Sequence, residues 1–235
     1  MTAPSDALVL LKRFVPRPIK GALASVHQRS RLDRALRAVA SLPPGELPSR
    51  MLMDDLQEGW ANDGMAARSD YLEEVCRQAA RTSGPILECG SGLSTLLLGL
   101  MAGRRGVETW TLEHLPEWRN RVAQVLARHQ IPHVHLLLTP LRRYDGFDWY
   151  DVTSAPVSDA FQLVVCDGPP SETPGGRYGM LPLFRSRLAP GAIVLLDDAD
   201  RPGEIDVLRK WDVEDGWRAV LRETPSGAFA IAARG

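Results

Sequence analysis

The chain has 235 residues, 44% of them hydrophobic and 24% charged, with a net charge of −1. That composition excludes a disordered or fibrous protein and fits one soluble α/β domain with an appendage. It lacks the basic excess of a nucleic-acid binder, and no apolar run nears the roughly 18 to 20 residues of a membrane span.

The charge is unevenly spread. Residues 1–50 carry nine Lys or Arg against three acids, a net +6 that leaves −7 for the rest. A basic, partly apolar leader suits peripheral contact with an acidic membrane surface or self-association, and equally a solvated arm. The N-terminus shows no secretory signal, so the expected location is cytoplasmic. Cys76, Cys89 and Cys166 lack C-x-x-C spacing and lie in apolar segments, as reduced core thiols would.

In chain order, Pro16/Pro18 and Pro43-Pro44 with Pro48 bracket a helix over 29–40, and residues 1–68 read as a basic helical N-terminal extension. Ser69 is placed to cap a helix whose apolar positions Tyr71, Leu72, Val75, Cys76 and Ala79 recur at helical spacing up to Gly84-Pro85. Strands at 85–89, 107–112 and 134–138 then alternate with helices at 94–102 and 116–129, the pattern of a parallel sheet with crossover helices. A long loop, 139–160, leads to Phe161-Gln-Leu-Val-Val-Cys166, continuous enough to be buried on both faces. A helix over 178–188, a strand over 192–196 and a helix from Pro202 to Trp211 follow. Strands over 217–223 and 228–233 close as a hairpin around Thr-Pro-Ser-Gly.

In an open parallel sheet, ligands bind beyond the carboxyl ends of the strands, so the residues there carry the functional reading. After the first strand stand Glu88, Gly90, Ser91 and Gly92, a loop able to bring bare backbone up to a nucleoside, with Thr95 in the next helix. A dinucleotide fingerprint needs a third glycine where Thr95 stands. After the second strand comes Glu113-His114; Glu113 suits bidentate acceptance from two ribose hydroxyls, and His114 flanks the base. Asp167 ends the fourth strand and Asp197-Asp198 the fifth. If those strands are neighbours the three carboxylates converge, as hard oxygen donors suited to Mg²⁺ or another divalent cation. Asp198 could instead cap the following helix or pair with Arg201. Asp167 and Glu172 are the candidate proton acceptors, and Trp149, Tyr150, Arg177 and Tyr178 are candidates for an acceptor pocket.

These motifs resemble those of class I S-adenosylmethionine-dependent methyltransferases, with Glu88, Gly90 and Gly92 matching the first motif and Glu113 the ribose-binding acid. More narrowly, Asp167, Asp197 and Asp198 match the metal positions of metal-assisted O-methyltransferases of the catechol and macrolide-sugar type. The resemblance implies a Rossmann-like methyltransferase fold over residues 69–235, a mostly parallel seven-stranded sheet with a C-terminal antiparallel hairpin. It implies S-adenosylmethionine as cofactor, with Asp167 beside it, and O-methylation of a small or carbohydrate-like acceptor with a divalent cation assisting. N-methylation, or a non-catalytic cofactor-binding scaffold docking through the basic leader, are the alternatives. The chain departs from both families after Asp167, where Gly168-Pro-Pro-Ser-Glu172 holds neither the lysine nor the histidine base those enzymes use.

Overall fold

The structure is a computed structural model that describes residues 17–61, 67–153 and 157–235, with side chains from Ser25 onward. The expectations for residues 1–16 of the basic leader lie outside the described residues. Seven strands form one sheet: β1 (Ile86–Cys89), β2 (Thr109–Glu113), β3 (Val134–Leu138), β6 (Phe161–Cys166), β7 (Leu188–Leu196), β8 (Trp217–Thr224) and β9 (Gly227–Arg234). A two-stranded hairpin, β4 (Leu141–Arg143) with β5 (Asp148–Tyr150), stands apart from it. The sheet order is β3-β2-β1-β6-β7-β9-β8. β3 through β7 run parallel, β9 is antiparallel to β7, and β8 closes the edge as its hairpin partner. This is the Rossmann-like methyltransferase arrangement that the alternation predicts, closing hairpin included.

After β1 the chain steps outward to β2 and β3, then returns to the other side of β1 at β6. The switch in strand order therefore falls between β1 and β6, where ligand crevices open in such sheets. Strand alternation assigns the two faces. Ile86 joins the cluster that holds Leu72, Val75, Leu96 and Val122, whereas Leu87 and Cys89 join Trp149, Met180, Phe184 and Trp211 on the other side. Glu88 thus points to the same face as Ile86, toward the helix that follows β1.

The helices are α1 (Arg17–Ser41), α2 (Arg50–Trp60), α3 (Ser69–Arg81), α4 (Leu93–Met101), α5 (Pro116–His129), α6 (Met180–Phe184) and α7 (Pro202–Asp215). α1 is twice the length expected, because Pro18 falls in its first turn, where proline is tolerated. α1 and α2 share the first core cluster: Leu32, Leu36, Val39, Met53, Leu56 and Trp60 are buried with the residues of α3 and α4. The Trp60 ring meets Trp118 of α5 edge-on at 5.7 Å, and the Arg121 guanidinium lies 4.7 Å from its centre. Arg31 pairs with Asp55 at 2.7 Å and His129 with Asp33 at 2.8 Å, so part of the leader's charge is met by other helices. Among the described residues no helix is long and apolar enough to cross a membrane.

Four local expectations are corrected. Ser69 is the first residue of α3 rather than its cap; its hydroxyl donates to Gln57 Oε1. The helix expected over 178–188 shrinks to α6 and a 3₁₀ turn at Arg185–Arg187, since Pro182 removes a donor and stiffens the chain. β7 begins at Leu188, extended across a register shift opposite Phe161/Leu163. Loop 139–160 contains the β4–β5 hairpin, closed by the Tyr144 amide donating to the Phe147 carbonyl at 2.8 Å. Its three-residue arms are too short to leave a periodic signal.

Because Trp60 is 2% exposed and bridges α2 to α5, Trp60→Ala is expected to destabilise the whole domain by about 3–5 kcal/mol. Urea unfolding should keep one cooperative transition at a lower midpoint. A loss under about 1 kcal/mol, or separate melting of the N-terminal helices, would show instead that they are an independent layer.

Candidate active site

The glycine loop is built where β1 ends. Gly90 adopts φ +87°, a conformation favouring glycine, and its amide donates to Leu112 O at 2.9 Å. A Cβ on Gly90 would lie 3.0 Å from the Gly168 amide nitrogen. One on Gly168 would lie 2.9 Å from Gly90 Cα and 2.5 Å from the Tyr150 hydroxyl. The loops after β1 and β6 therefore touch backbone to backbone, and both positions need glycine for that contact.

Glu88 lies beneath this loop, fully buried. Its Oε2 accepts from Thr95 Oγ1 at 2.7 Å and Thr111 Oγ1 at 2.8 Å, while Oε1 is without a hydrogen-bond partner. Thr95 Oγ1 in turn accepts from the Gly92 amide at 2.9 Å. Glu88 and Thr95 thus hold the loop's shape from below. Burial pushes the Glu88 carboxyl up to about 7, against the hydroxyl hydrogen bonds that favour its ionised form.

Glu113 ends β2 and gathers three backbone amides. Its Oε2 accepts from the Ser91 amide and hydroxyl at 3.0 and 2.8 Å, and its Oε1 from the amides of His114 and Leu115 at 2.8 Å each. Burial would raise its pKa, but His114 and these donors outweigh that and hold it below the usual carboxylate value. The His114 ring is half-buried, its Nδ1 3.3 Å from Glu113 Oε1. Trp118 Nε1 donates to Ser91 O, fixing the loop from α5.

Asp167, Asp197 and Asp198 converge, with one carboxylate oxygen of each within 4.8 Å of the others. Asp198 occupies the left-handed region at φ +53°, and its amide donates to Asp197 Oδ1 at 2.8 Å. Arg177 enters this cluster. Its Nη2 donates to Asp167 O at 3.0 Å and Asp167 Oδ1 at 3.2 Å, and to Asp198 Oδ2 at 3.0 Å; Nη1 donates to Asp197 O. Arg201 Nη1 lies 3.0 Å from Asp198 Oδ2 and Arg68 Nη2 3.4 Å from Asp198 Oδ1, so convergence and the Arg201 pairing hold together. The cap of α7 is Arg201, without a side-chain bond. Burial pushes Asp197 up to about 6, reinforced by Asp198 and opposed by Arg177. Asp167 is raised well above its ordinary value by burial and by Asp197. It keeps a quarter of its side chain open.

The residues expected in an acceptor pocket are placed differently. Trp149 and Tyr150 are fully buried, because the β4–β5 hairpin turns them onto the core with Met180 and Phe184. Arg177 is 2% exposed and committed to the aspartates. Tyr178 is half-buried, its hydroxyl donating to Glu214. Glu172 is exposed on the loop above the cluster. Thr111, Trp118, Gly168 and Arg68 were not legible as site residues; Gly168 alone carried a signal, as the glycine following Asp167. Cys76, Cys89 and Cys166 are free, buried thiols.

Residues 87–199 match the model of a family described as a methyltransferase domain. Across nearly its whole length the fold is similar to that of the S-adenosylhomocysteine-bound methyltransferase PaMTH1 of Podospora anserina. That likeness has 14% identity, 94% of this chain and 98% of that one covered, and a TM-score of 0.59. It is also similar to cofactor-bound Rv0187 from MTB, with 21% identity, 99% and 97% coverage and a TM-score of 0.55. A candidate caffeoyl-CoA O-methyltransferase of Staphylococcus aureus shares 11% identity over 80% of this chain and 93% of its own, with a TM-score of 0.61. No curated protein matches the chain. The matched segment spans the glycine loop, Glu113 and the aspartate cluster.

The raised Glu88 pKa has a testable sign. The unfolded chain releases this proton near 4.5 and the folded one near 7, so folding stability is lost as pH rises through that window. For the cofactor-free protein, urea unfolding at about pH 5 and about pH 8 should differ by about 3 kcal/mol less in Glu88→Gln than in the unsubstituted protein. Equal pH dependence in the two would show that Glu88 is not desolvated.

Proposed function

We propose that this enzyme transfers the methyl group of S-adenosylmethionine to a hydroxyl oxygen of a small acceptor, a carbohydrate-like one included, with Asp167 as the proton acceptor. The observation that carries the reading is the position of Asp167. It stands at the end of β6 beside the Gly90–Gly168 contact, partly open, with its carboxyl raised above the usual range. A raised carboxyl is a stronger base, which suits removal of a hydroxyl proton. The net charge of −1 favours a small acceptor over a polyanion.

The residues at the switch point fit the cofactor. Buried Glu88 Oε1 lacks a partner under the loop, and around Gly92 a Cβ would meet open space. Glu113 would accept from the ribose diol, in exchange for the Ser91 hydroxyl that it now holds. Gly90 to Gly92 would present backbone to the methionine part. When bound, the cofactor supplies an electrophilic methyl on its sulfonium. Asp167 would take the hydroxyl proton as the acceptor oxygen receives the methyl, with S-adenosylhomocysteine as the leaving group.

Donor-set chemistry alone would suit a divalent cation at Asp167, Asp197 and Asp198, as hard oxygens near one another. The space is contested, however: a buried guanidinium nitrogen lies 3.2 and 3.0 Å from oxygens of two of them. The three acids and an ion do not fit together while Arg177 holds that place, and no step here runs through a metal.

The test is a methyl-transfer assay with labelled S-adenosylmethionine against panels of alcohols, phenols and amines. Products methylated on oxygen are expected. Asp167→Asn should lower turnover by about 100-fold or more and remove the acidic limb of the rate–pH profile, which should lie above 3.8. Methylation confined to amines would overturn the oxygen assignment; unchanged turnover in Asp167→Asn would overturn the base.

A further inference from the structure

Arg177 is the one described side chain that touches every member of the aspartate cluster. Its guanidinium reaches Asp167 and Asp198 through their carboxylates, at 3.2 and 3.0 Å, and Asp197 through its carbonyl. Burial alone would lower its pKa; Asp167 and the other acids around it raise it instead, so the cation is permanent. Arg201 and Arg68 approach Asp198 from outside, so three arginines meet three aspartates. The charge of the cluster is already met before any ion arrives.

We infer that Arg177 is the resident cation of this site: a positioning residue that stands where a divalent ion would sit and makes the cluster metal-independent. Two geometric consequences follow from that placement. A cation bound by Asp167 and Asp198 would have to take the space of Nη2 and would then leave a guanidinium buried without its anions, which is strongly unfavourable. Conversely, the fork donates to the backbone carbonyls of Asp167 and Asp197 as well as to carboxylates. Arg177 thereby ties the ends of β6 and β7 to the loop bearing Ser171 to Tyr178, a directional task that the planar guanidinium does and a spherical ion does not. The loop is anchored a second time through Ser171, which donates to buried Glu204 at 2.6 Å and accepts from Arg201 at 3.1 Å.

Ion exclusion follows from the geometry of Arg177 alone, whereas metal-independent turnover rests on the proposed methyl transfer, so the two are measured separately. The probe is Mn²⁺ alone, titrated into the full chain and followed by the loss of the free-ion paramagnetic resonance signal. The unsubstituted protein should leave that signal at full intensity. Arg177→Ala, which frees the Asp167 carboxylate and removes the buried cation from beside Asp198, should gain Mn²⁺ affinity by about tenfold or more, and Arg177→Lys, which restores a positive charge, should not. Where Arg177→Ala does not fold, Arg177→Gln takes its place. Saturable Mn²⁺ binding by the unsubstituted protein, displaced by Mg²⁺, would overturn the assignment. So would a folded Arg177→Ala or Arg177→Gln that binds no Mn²⁺. In turnover, chelator should leave the rate unchanged; a chelated enzyme restored by Mg²⁺ would refute metal independence even if the methyl-transfer reading stands, while absence of any turnover would strike at that reading and leave the Mn²⁺ result intact.

Discussion

Three parallel strands end level with one another, and the site is a consequence of that register. Cys89 of β1 pairs with Cys166 of β6, and Cys166 pairs with Leu196 of β7. The ladder runs one step further, from the Asp167 amide to Cys89 O at 3.0 Å and from the Asp197 amide to Cys166 O at 3.1 Å. Adjacent strands lie about 4.8 Å apart, so whatever side chains follow the last paired residues are forced into one small volume. Here those residues are two glycines and three aspartates. The glycines let the loops meet, and the aspartates demand a counter-charge.

That demand explains why so many long cationic side chains point inward at one end of the sheet. Like charges in a partly dry volume repel strongly, and burial raises the Asp167 and Asp197 carboxyls. A fold can answer with a proton, a metal or an arginine. Burial pushes Asp167 and Asp197 toward holding a proton, and the arginine is Arg177, whose fork satisfies backbone carbonyls along with the acids. Strand register and loop position are coupled here, since the same fork holds the loop from Ser171 to Tyr178 against the ends of β6 and β7.

The two glutamates beside the glycine loop do different work. Glu113 is held below the usual carboxylate range and saturated with donors, an electrostatic fixture for the loop after β1. Glu88 is sealed away, and its raised pKa records a carboxyl that the protein keeps without a full set of partners. The residue pattern placed both at the ends of apolar strands, Glu88 in the first motif and Glu113 as the ribose-binding acid, without saying which is buried. Strand alternation separates them: Glu88 turns toward Thr95 of α4, whereas Glu113, at the strand's end, bends back to its own loop.

By itself the sequence determined what depends on local periodicity and on turn chemistry. The parallel sheet, its crossover helices, the closing hairpin and the glycine loop were legible because side chains repeat every two residues in a strand and about 3.6 in a helix. The position of each acid at a strand's end followed from the same pattern. Only the tertiary structure decided what stands among those acids. Arg177 lies ten residues from Asp167 and twenty from Asp197, in an irregular loop with no period, so nothing in its neighbours' spacing says that it folds inward rather than toward solvent. Its place was settled by the charge of three carboxylates brought together from two strands, and that attraction exists only once the strands are paired.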